Sequence, residues 1–153
     1  TNFTIKELIT RTQLLMKNEL KRRHCNLNLD ITANEFTAIS GEISALIQVI
    51  DIMIINAMDA YGDVPGNVDI KVREDDTKVY IDVTDYAGGI PQKVQDKLFK
   101  EMITSKGKNG TGLGLYMSFS TIKGKFKGDI RYETEEGKGT TFFIELPKYK
   151  GNE

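Results

Sequence analysis

The sequence predicts a two-layer α/β sandwich, with a mixed and mostly antiparallel sheet that carries three main helices on one face. Three segments have helical periodicity, and two pairs of alternating apolar and polar runs indicate hairpins. With that order of elements, all helices can lie on one side of the sheet. A chain of 153 residues is long enough to bury a core of its own. We therefore predict a single domain over residues 1–150.

The first half of the chain contains two predicted helices and a strand. Apolar residues recur with a helical period over residues 5–23, and Thr4 with Glu7 forms a capping box that places the start of this helix. Residues 27–31 alternate between apolar and polar, which predicts a strand, and a short extended piece follows near 36–39. Residues 41–61 predict a second helix, apolar nearly all round and therefore packed in the interior.

The second half contains the two hairpins. Residues 68–74 and 78–84 alternate and are joined by a short turn, and residues 128–134 and 139–146 close the chain in the same way. Between them, residues 86–114 are rich in glycine, and a segment this long between strands is typically functional. A short amphipathic helix is predicted inside it, around 94–102. A third helix is predicted from about 112–115 to about 122.

Composition excludes several classes of protein. The apolar fraction of 39% and charged fraction of 28% are those of a folded globular chain. A net charge of −1 gives no general attraction to nucleic acid or anionic membrane. One cysteine, Cys25, excludes an intramolecular disulfide and a cysteine-based zinc site. The longest uninterrupted apolar stretch has four residues and no signal peptide is recognisable, so we expect a cytoplasmic domain.

Three polar features follow one another along the chain. Asn56 shares a helix face with Gln48, Ile52 and Asp59. The run DYAGGIP, starting at Asp85, follows a strand directly, and GTGLGL at 110–115 opens a helix, where backbone N–H groups and the helix dipole favour phosphates. Each feature alone has a simpler explanation: an asparagine that is hydrogen-bonded to the backbone, an ordinary turn, or a flexible hinge.

Taken in order, the motifs resemble those of the GHKL superfamily, whose ATP-binding domain has the Bergerat fold. The similarity is strongest to the catalytic domain of sensor histidine kinases and covers roughly residues 1–148. QVIDIMIINAMDA resembles the N box, DVTDYAGGIP the G1 box, KLFKEMITSK the F box and GTGLGL the G2 box, and GKGTTFFIELP resembles the closing hairpin.

The resemblance implies a role for each matching residue. Asn56 would coordinate Mg²⁺ between the phosphates, Asp85 would bind the adenine amino group, and Gly89 would give the ring room. Lys106 would meet the phosphates, so Asn56 and Lys106 are the predicted catalytic residues. Residues 86–110 would form the ATP lid. The predicted nucleotide-binding residues are Asn56, Asp59, Asp85, Gly89, Ile90, Thr104, Lys106, Gly110, Thr111, Gly112, Leu113, Gly114, Leu115 and Thr140.

The implied function is phosphoryl transfer from Mg-ATP to a histidine on a helical hairpin domain that lies outside this chain. The expected partners are ATP or ADP, that dimerisation and phosphoacceptor domain, and a response regulator. No contact with nucleic acid or membrane is expected of this domain, and the isolated chain is expected to be monomeric. The only histidine, His24, lies at a helix end, where the dipole accounts for it, and it is not the predicted phosphoacceptor.

Departures from the family pattern leave alternatives open. Ile52 stands where the N box has its first asparagine, Ala87 replaces the first G1 glycine, and Glu101 and Met102 stand where the F box usually has Pro and Phe. The main alternative is a degenerate module of the same fold that binds nucleotide weakly or not at all. A GHKL ATPase of the chaperone, topoisomerase or mismatch-repair type would need an acid at position 52. A serine-kinase anti-sigma factor is the third alternative.

Overall fold

The computed structural model describes residues 1–97 and 110–151, with only the backbone described at 110–114. Helices and strands follow the predicted order in this part of the chain. The helical segments are α1 (Ile5–Arg22), α2 (Ile43–Tyr61), α3 (residues 92–97) and α4 (Gly110–Lys125). The strands are β1 (Asn2–Thr4), β2 (Cys25–Ile31), β3 (Ala38–Ser40), β4 (Gly66–Glu74), β5 (Lys78–Asp85), β6 (Asp129–Glu135) and β7 (Gly139–Pro147).

The main sheet has five strands in the order β2-β4-β5-β7-β6. Strands β2 and β4 are parallel, and the three other pairs are antiparallel. Both predicted hairpins, β4–β5 and β6–β7, are confirmed. A separate two-stranded sheet joins β1 to β3. The predicted mixed, mostly antiparallel sheet is therefore confirmed.

The helices pack on one face of the main sheet. Helix α2 lies over β4 and β5, α1 lies beside it over β2, and α4 lies against α2 and β6. Alternate strand residues supply the buried face, as in β5, where Val79, Ile81 and Val83 are buried. The core between the two layers is continuous, which confirms the two-layer architecture.

Helix α1 begins as the capping box predicts. The Thr4 hydroxyl accepts a hydrogen bond from the Glu7 N–H at 3.2 Å, and the Glu7 carboxylate accepts one from the Thr4 N–H at 3.4 Å. The last turn carries Lys21 and Arg22, whose positive charges are favourable beside the exposed carbonyls. His24, with φ of 54°, follows as a left-handed residue that turns the chain into β2.

Helix α2 is the central element of the fold. By length and apolar composition it could also cross a membrane. Here eight of its residues are buried inside the domain, and it packs on β4 and β5. The helix begins at Ile43, two residues after the predicted start, and ends at Tyr61. Gly62, with φ of 63°, follows and donates its N–H to the Asp59 carbonyl at 3.0 Å.

Two elements differ from the sequence-based prediction. Strand β1 was not predicted, because three residues directly before a helix cap show no alternation; its pairing with β3 is a tertiary effect. Helix α4 begins at Gly110 and ends at Lys125, so it is longer at both ends than predicted. Of the short helix predicted around 94–102, residues 92–97 are helical, and the remainder lies outside the described residues.

Candidate functional site

A small cleft lies at the C-terminal end of β5, under the second half of α2. Its volume is about 120 Å³. Residues from α2, β5, the segment after β5, α3, α4 and β7 line it: Asn56, Ala60, Asp85, Gly89, Ile90, Val94, Leu115, Thr140 and Phe142. Pockets that enclose a whole small-molecule ligand are typically about 300–1,000 Å³. The described walls therefore suit one ring-sized part of a ligand, with the rest extending outward.

Asp85 supplies the one acidic group of the described cleft lining. Its side chain is buried at the end of β5, and Oδ1 accepts a hydrogen bond from the Ala87 N–H at 3.0 Å. Burial raises the pKa of Asp85 above its usual value, while bonds from the backbone N–H groups of Ala87 and Thr140 act in the opposite direction. A partly buried carboxylate at a cleft wall is suited to accept a hydrogen bond from an amine.

Strand β7 contributes the neighbouring wall. Thr140 is buried and stands opposite Asp85 in the β5–β7 pairing. Its hydroxyl lies 2.8 Å from the Thr134 hydroxyl, which accepts a hydrogen bond from the Ile90 N–H at 2.9 Å. Thr140 and Thr134 thereby join the wall of the cleft to the segment that follows β5.

Gly89 brings this segment close to the β6–β7 turn. Its φ is +75°, and a Cβ there would lie 2.3 Å from the Glu135 carbonyl oxygen. Only glycine avoids both the strained backbone and this contact. Gly88 accepts a hydrogen bond from the Gly137 N–H at 2.7 Å, which fastens the same two segments. The fold itself therefore requires glycine at position 89, in addition to the predicted role of leaving room for a ring.

Ala87 raises no conformational difficulty. Among the described non-glycine residues, only His24 and Lys127 have a positive φ, so Ala87 lies in an ordinary region of backbone space. The bend is made at Gly89, two residues later. The substitution of alanine for the usual glycine therefore leaves this turn unstrained.

Asn56 stands on the opposite side of the cleft, in the second half of α2. Its amide nitrogen is buried and has no hydrogen-bond partner within residues 1–97 and 110–151. An uncompensated buried amide is unfavourable, and a ligand in the cleft would satisfy it. Because the amide can be turned to present its oxygen instead, it also suits Mg²⁺, which prefers oxygen ligands.

Ile52 lies one turn before Asn56 on the same helix. It is partly buried and packs against the hydrophobic core. An isoleucine offers no donor or metal ligand at this place. The Asn56 side of the cleft therefore has one amide where the family pattern has two.

The remaining predicted residues fall into three groups. Leu115 is buried and lines the cleft. Asp59 does not line it, because its carboxylate pairs with Arg23 at 3.0 Å on the side of α1. Thr104 and Lys106 lie outside the described residues, as does about half of the predicted lid, residues 98–109. Gly110, Thr111, Gly112, Leu113 and Gly114 form the start of α4, where the dipole favours an anion.

Four residues of the site were not predicted from sequence. Ala60, Val94 and Phe142 line the cleft, and Thr134 supports Thr140. Phe142 could have been found, because it is two residues after Thr140 on a strand and therefore shares its face. The other three carry no local signal, since they meet the cleft only through tertiary packing.

A larger groove of about 530 Å³ borders the cleft and shares Asp85 and Thr140 with it. Its lining includes Glu133 and Glu135 against a single cation, Lys138. Such a charge balance is unfavourable for phosphates. The cleft with Asn56 and the start of α4 is therefore the better candidate for a phosphate-bearing ligand.

A family profile described as histidine kinase-, DNA gyrase B-, and HSP90-like ATPase matches residues 41–150. The chain belongs to this family. Within it, the chain is an ATP-binding catalytic domain of the histidine-kinase type, as the curated relatives and solved structures agree. The matched region contains Asn56, Asp85 and Thr140, so the cleft lies within the family's ATP-binding domain.

The relatives are sensor and sporulation kinases. Sporulation kinase A of Bacillus subtilis is 39% identical over 110 residues, which are 72% of this chain and 18% of that protein. Sensor histidine kinase ZraS of Escherichia coli is 32% identical over 141 residues, 92% of this chain and 29% of that protein. The nucleotide-free catalytic domain of the histidine kinase ThkA is 28% identical, with a TM-score of 0.79, and the match covers 97% of this chain and 95% of that domain. The ATPase domain thus spans less than a third of either full-length kinase.

Proposed function

We propose that the cleft binds Mg-ATP with adenine at Asp85 and the phosphates toward Asn56 and the start of α4. The bound γ-phosphoryl group is delivered to a histidine on a helical hairpin domain outside this chain. One observation carries the proposal: a buried carboxylate lines the same ring-sized cleft as a buried amide that has no hydrogen-bond partner among the described residues. The first suits the base of a nucleotide and the second its metal-bound phosphates.

The metal site depends on the nucleotide. Within the described part of the chain, no three His, Cys, Asp or Glu side chains cluster to hold a metal ion. Asn56 alone is a weak site, and Mg²⁺ commonly takes its other ligands from phosphates and water. When bound, the ion would neutralise phosphate charge during transfer. We therefore expect Mg²⁺ to bind together with ATP or ADP, and negligibly without it.

Transfer also needs partners that this chain does not supply. The acceptor histidine belongs to a dimerisation and phosphoacceptor domain, and the phosphoryl group then passes to a response regulator. The kinase ThkA, which has the same fold in its catalytic domain, forms a complex with the response regulator TrrA, and this supports the second partner. The domain itself works in the cytoplasm, whether or not the whole protein is anchored in a membrane.

The alternative is a domain of the same fold that binds nucleotide weakly or not at all and serves as an interaction module. Ile52 is the observation that favours it, because it removes one of the two amides at the phosphate side. The walls of the adenine side are intact in both cases. The two functions therefore differ in their dependence on Mg²⁺.

Thermal unfolding with ADP and a non-hydrolysable ATP analogue, each with and without Mg²⁺, separates them. A ligand at about 100 times its Kd adds roughly 2.7 kcal/mol to the free energy of unfolding, which raises Tm by about 5–10 °C. A shift that grows with Mg²⁺ is expected for the kinase. A shift that does not depend on Mg²⁺ would favour the interaction module. No shift with either nucleotide would contradict the kinase and leave an interaction module that binds no nucleotide.

Two variants give the matched comparison. Asn56→Ala removes the amide from the cleft and is expected to abolish the Mg²⁺-dependent part of the shift, leaving the rest. Gln48→Ala removes an exposed amide two turns earlier on the same helix and should leave both parts unchanged. Equal behaviour of the two variants would contradict a role for Asn56 at the metal.

A further inference from the structure

Tyr61, the last residue of α2, holds the two sides of the cleft together. Its hydroxyl donates to the Asn67 carbonyl of β4 at 2.6 Å and accepts from the Tyr86 N–H at 2.8 Å. Tyr86 directly follows Asp85. One hydroxyl group thus joins the helix that carries Asn56 to the turn that carries Asp85.

The ring of Tyr61 packs closely against Gly66. A Cβ on Gly66 would lie 2.5 Å from the ring carbons, so any larger residue there would displace the ring. The Tyr61 hydroxyl is protonated at neutral pH and able to donate, and burial raises its pKa further. The position of the hydroxyl is therefore fixed by packing as well as by its two hydrogen bonds.

Two further hydrogen bonds fix the same turn through the side chain of Tyr86. The Tyr86 hydroxyl donates to Oδ2 of Asp69 on β4, and Oδ1 of Asp69 accepts from the Asn28 amide of β2 at 2.9 Å. Tyr86 is thereby fixed at its backbone by Tyr61 and at its side chain by Asp69. Asp85, the last residue of β5, directly precedes this fixed residue.

We infer that Tyr61 is a positioning residue for nucleotide binding: it sets the place of the Asp85 carboxylate relative to α2. The inference rests on the proposed function and adds a residue that aligns the Asp85 end of the cleft with the Asn56 end. Without the hydroxyl, the Tyr86 N–H and the Asn67 carbonyl lose their partner, and the Asp85–Ala87 turn becomes free to shift. A carboxylate that shifts by even a fraction of an ångström accepts the adenine amine less well.

The test compares ADP with purine riboside diphosphate, which lacks only the exocyclic amine, on wild-type protein and on Tyr61→Phe. In the wild type, the bond to Asp85 should favour ADP by about 10- to 100-fold in Kd. Tyr61→Phe keeps the ring and is expected to reduce this preference by about threefold or more. A role in stability alone would weaken both ligands equally and leave their ratio unchanged.

Tyr80→Phe is the control, because the Tyr80 hydroxyl bonds Asp75 at the far end of the β4–β5 hairpin. An unchanged preference in Tyr61→Phe, equal to that of Tyr80→Phe, would overturn the inference. If Tyr61→Phe fails to fold, Gly66→Ala decides in its place: its Cβ displaces the Tyr61 ring and with it the hydroxyl, and a reduced preference supports the inference while an unchanged one overturns it. Failure of the wild type to bind ADP would overturn the proposed function itself.

Discussion

The two ends of the cleft are built in different ways. At the Asp85 end, the polar groups already bond one another. The Asp85 carboxylate accepts from the Ala87 N–H, and the Thr134 hydroxyl bonds the Thr140 hydroxyl and accepts from the Ile90 N–H. At the Asn56 end, the buried amide nitrogen has no partner within the described residues, and Ile52 offers none. The first end is complete without a ligand, whereas the second needs one.

This difference predicts a separate role for each end of the cleft in the proposed binding of nucleotide. Groups that are fixed before binding lose little conformational entropy on binding and so discriminate between similar ligands. An unsatisfied amide gains its partners only when phosphates and Mg²⁺ arrive. We therefore expect base selectivity to reside at Asp85, and Mg²⁺ dependence at Asn56.

The largest expected effect is at the complete end. Asp85→Asn keeps the size of the side chain and removes its charge, so ADP affinity should fall about 100-fold, or ~2.7 kcal/mol. Isothermal titration calorimetry measures the change, and Asp76→Asn, an exposed carboxylate in the β4–β5 turn, is the control. Comparable affinities of the two variants would show that adenine is not recognised at Asp85.

Gly89→Ala tests how rigidly that end is fastened. The strained φ and the contact with the Glu135 carbonyl should lower the free energy of unfolding by about 2 kcal/mol, which is roughly 4–8 °C in Tm. Gly124→Ala is the control, because a Cβ there meets nothing within 4 Å, and in a helix alanine should stabilise by up to about 1 kcal/mol. Shifts of the same sign in calorimetry would contradict this account of Gly89.

Ile52→Asn would make the two ends more alike. A second amide on the cleft side of α2 should strengthen Mg²⁺-dependent ADP binding by about tenfold, or ~1.4 kcal/mol. Because Ile52 packs on the core, some stability is lost in any case, and Ile52→Val reproduces that loss without the amide. An effect shared by both variants would mean that the phosphate end does not use position 52.

The smallest effect concerns α2 itself. Asp51 lies about 140° around the helix from Asn56, and its Oδ1 is buried without a partner among the described residues. Burial raises the pKa of Asp51 from 3.8 to about 6. The folded state therefore holds this proton at a pH where the unfolded chain has lost it, and the free energy of unfolding falls as pH rises from about 4 to about 6.

Asp51→Asn should remove that dependence. Allowing for solvent screening of a half-exposed group, the variant should be more stable than the wild type at pH 7.5 by about 1 kcal/mol, or roughly 3 °C. The two proteins should be most alike near pH 3, where folded Asp51 and most of the unfolded Asp51 are protonated. Asp63→Asn, at an exposed residue after α2, is the control and should keep the pH dependence of the wild type in the same melting series.

Local sequence signals predicted most of the fold. The capping box at Thr4 and Glu7 and the alternation in β4 and β5 each depend on neighbouring residues, and each is found in the structure. Strand β1 was missed for the opposite reason. It depends on pairing with β3, which lies far away in the chain.

The candidate site was predictable to the extent that it follows motifs. Asn56, Asp85 and Thr140 were found by their resemblance to the family boxes and lie at one cleft, while their roles stay predictions. Tyr61 could not be found this way, because its hydroxyl bonds backbone groups that any residue could provide. Whether Ala87 strains the turn depends on a backbone angle that its sequence neighbourhood leaves undetermined.

The order of strands has a consequence for synthesis on the ribosome. Strand β7 is the last to be made, yet it lies between β5 and β6 inside the sheet and supplies Thr140 and Phe142 to the cleft. Until it emerges, β5 has one bare edge and β6 has no partner in the sheet. Such edges are prone to mispairing with other chains. A nascent chain that stops before residue 139 would thus be both unable to bind nucleotide and exposed to aggregation, so ADP cannot assist its folding before the final strand is inserted.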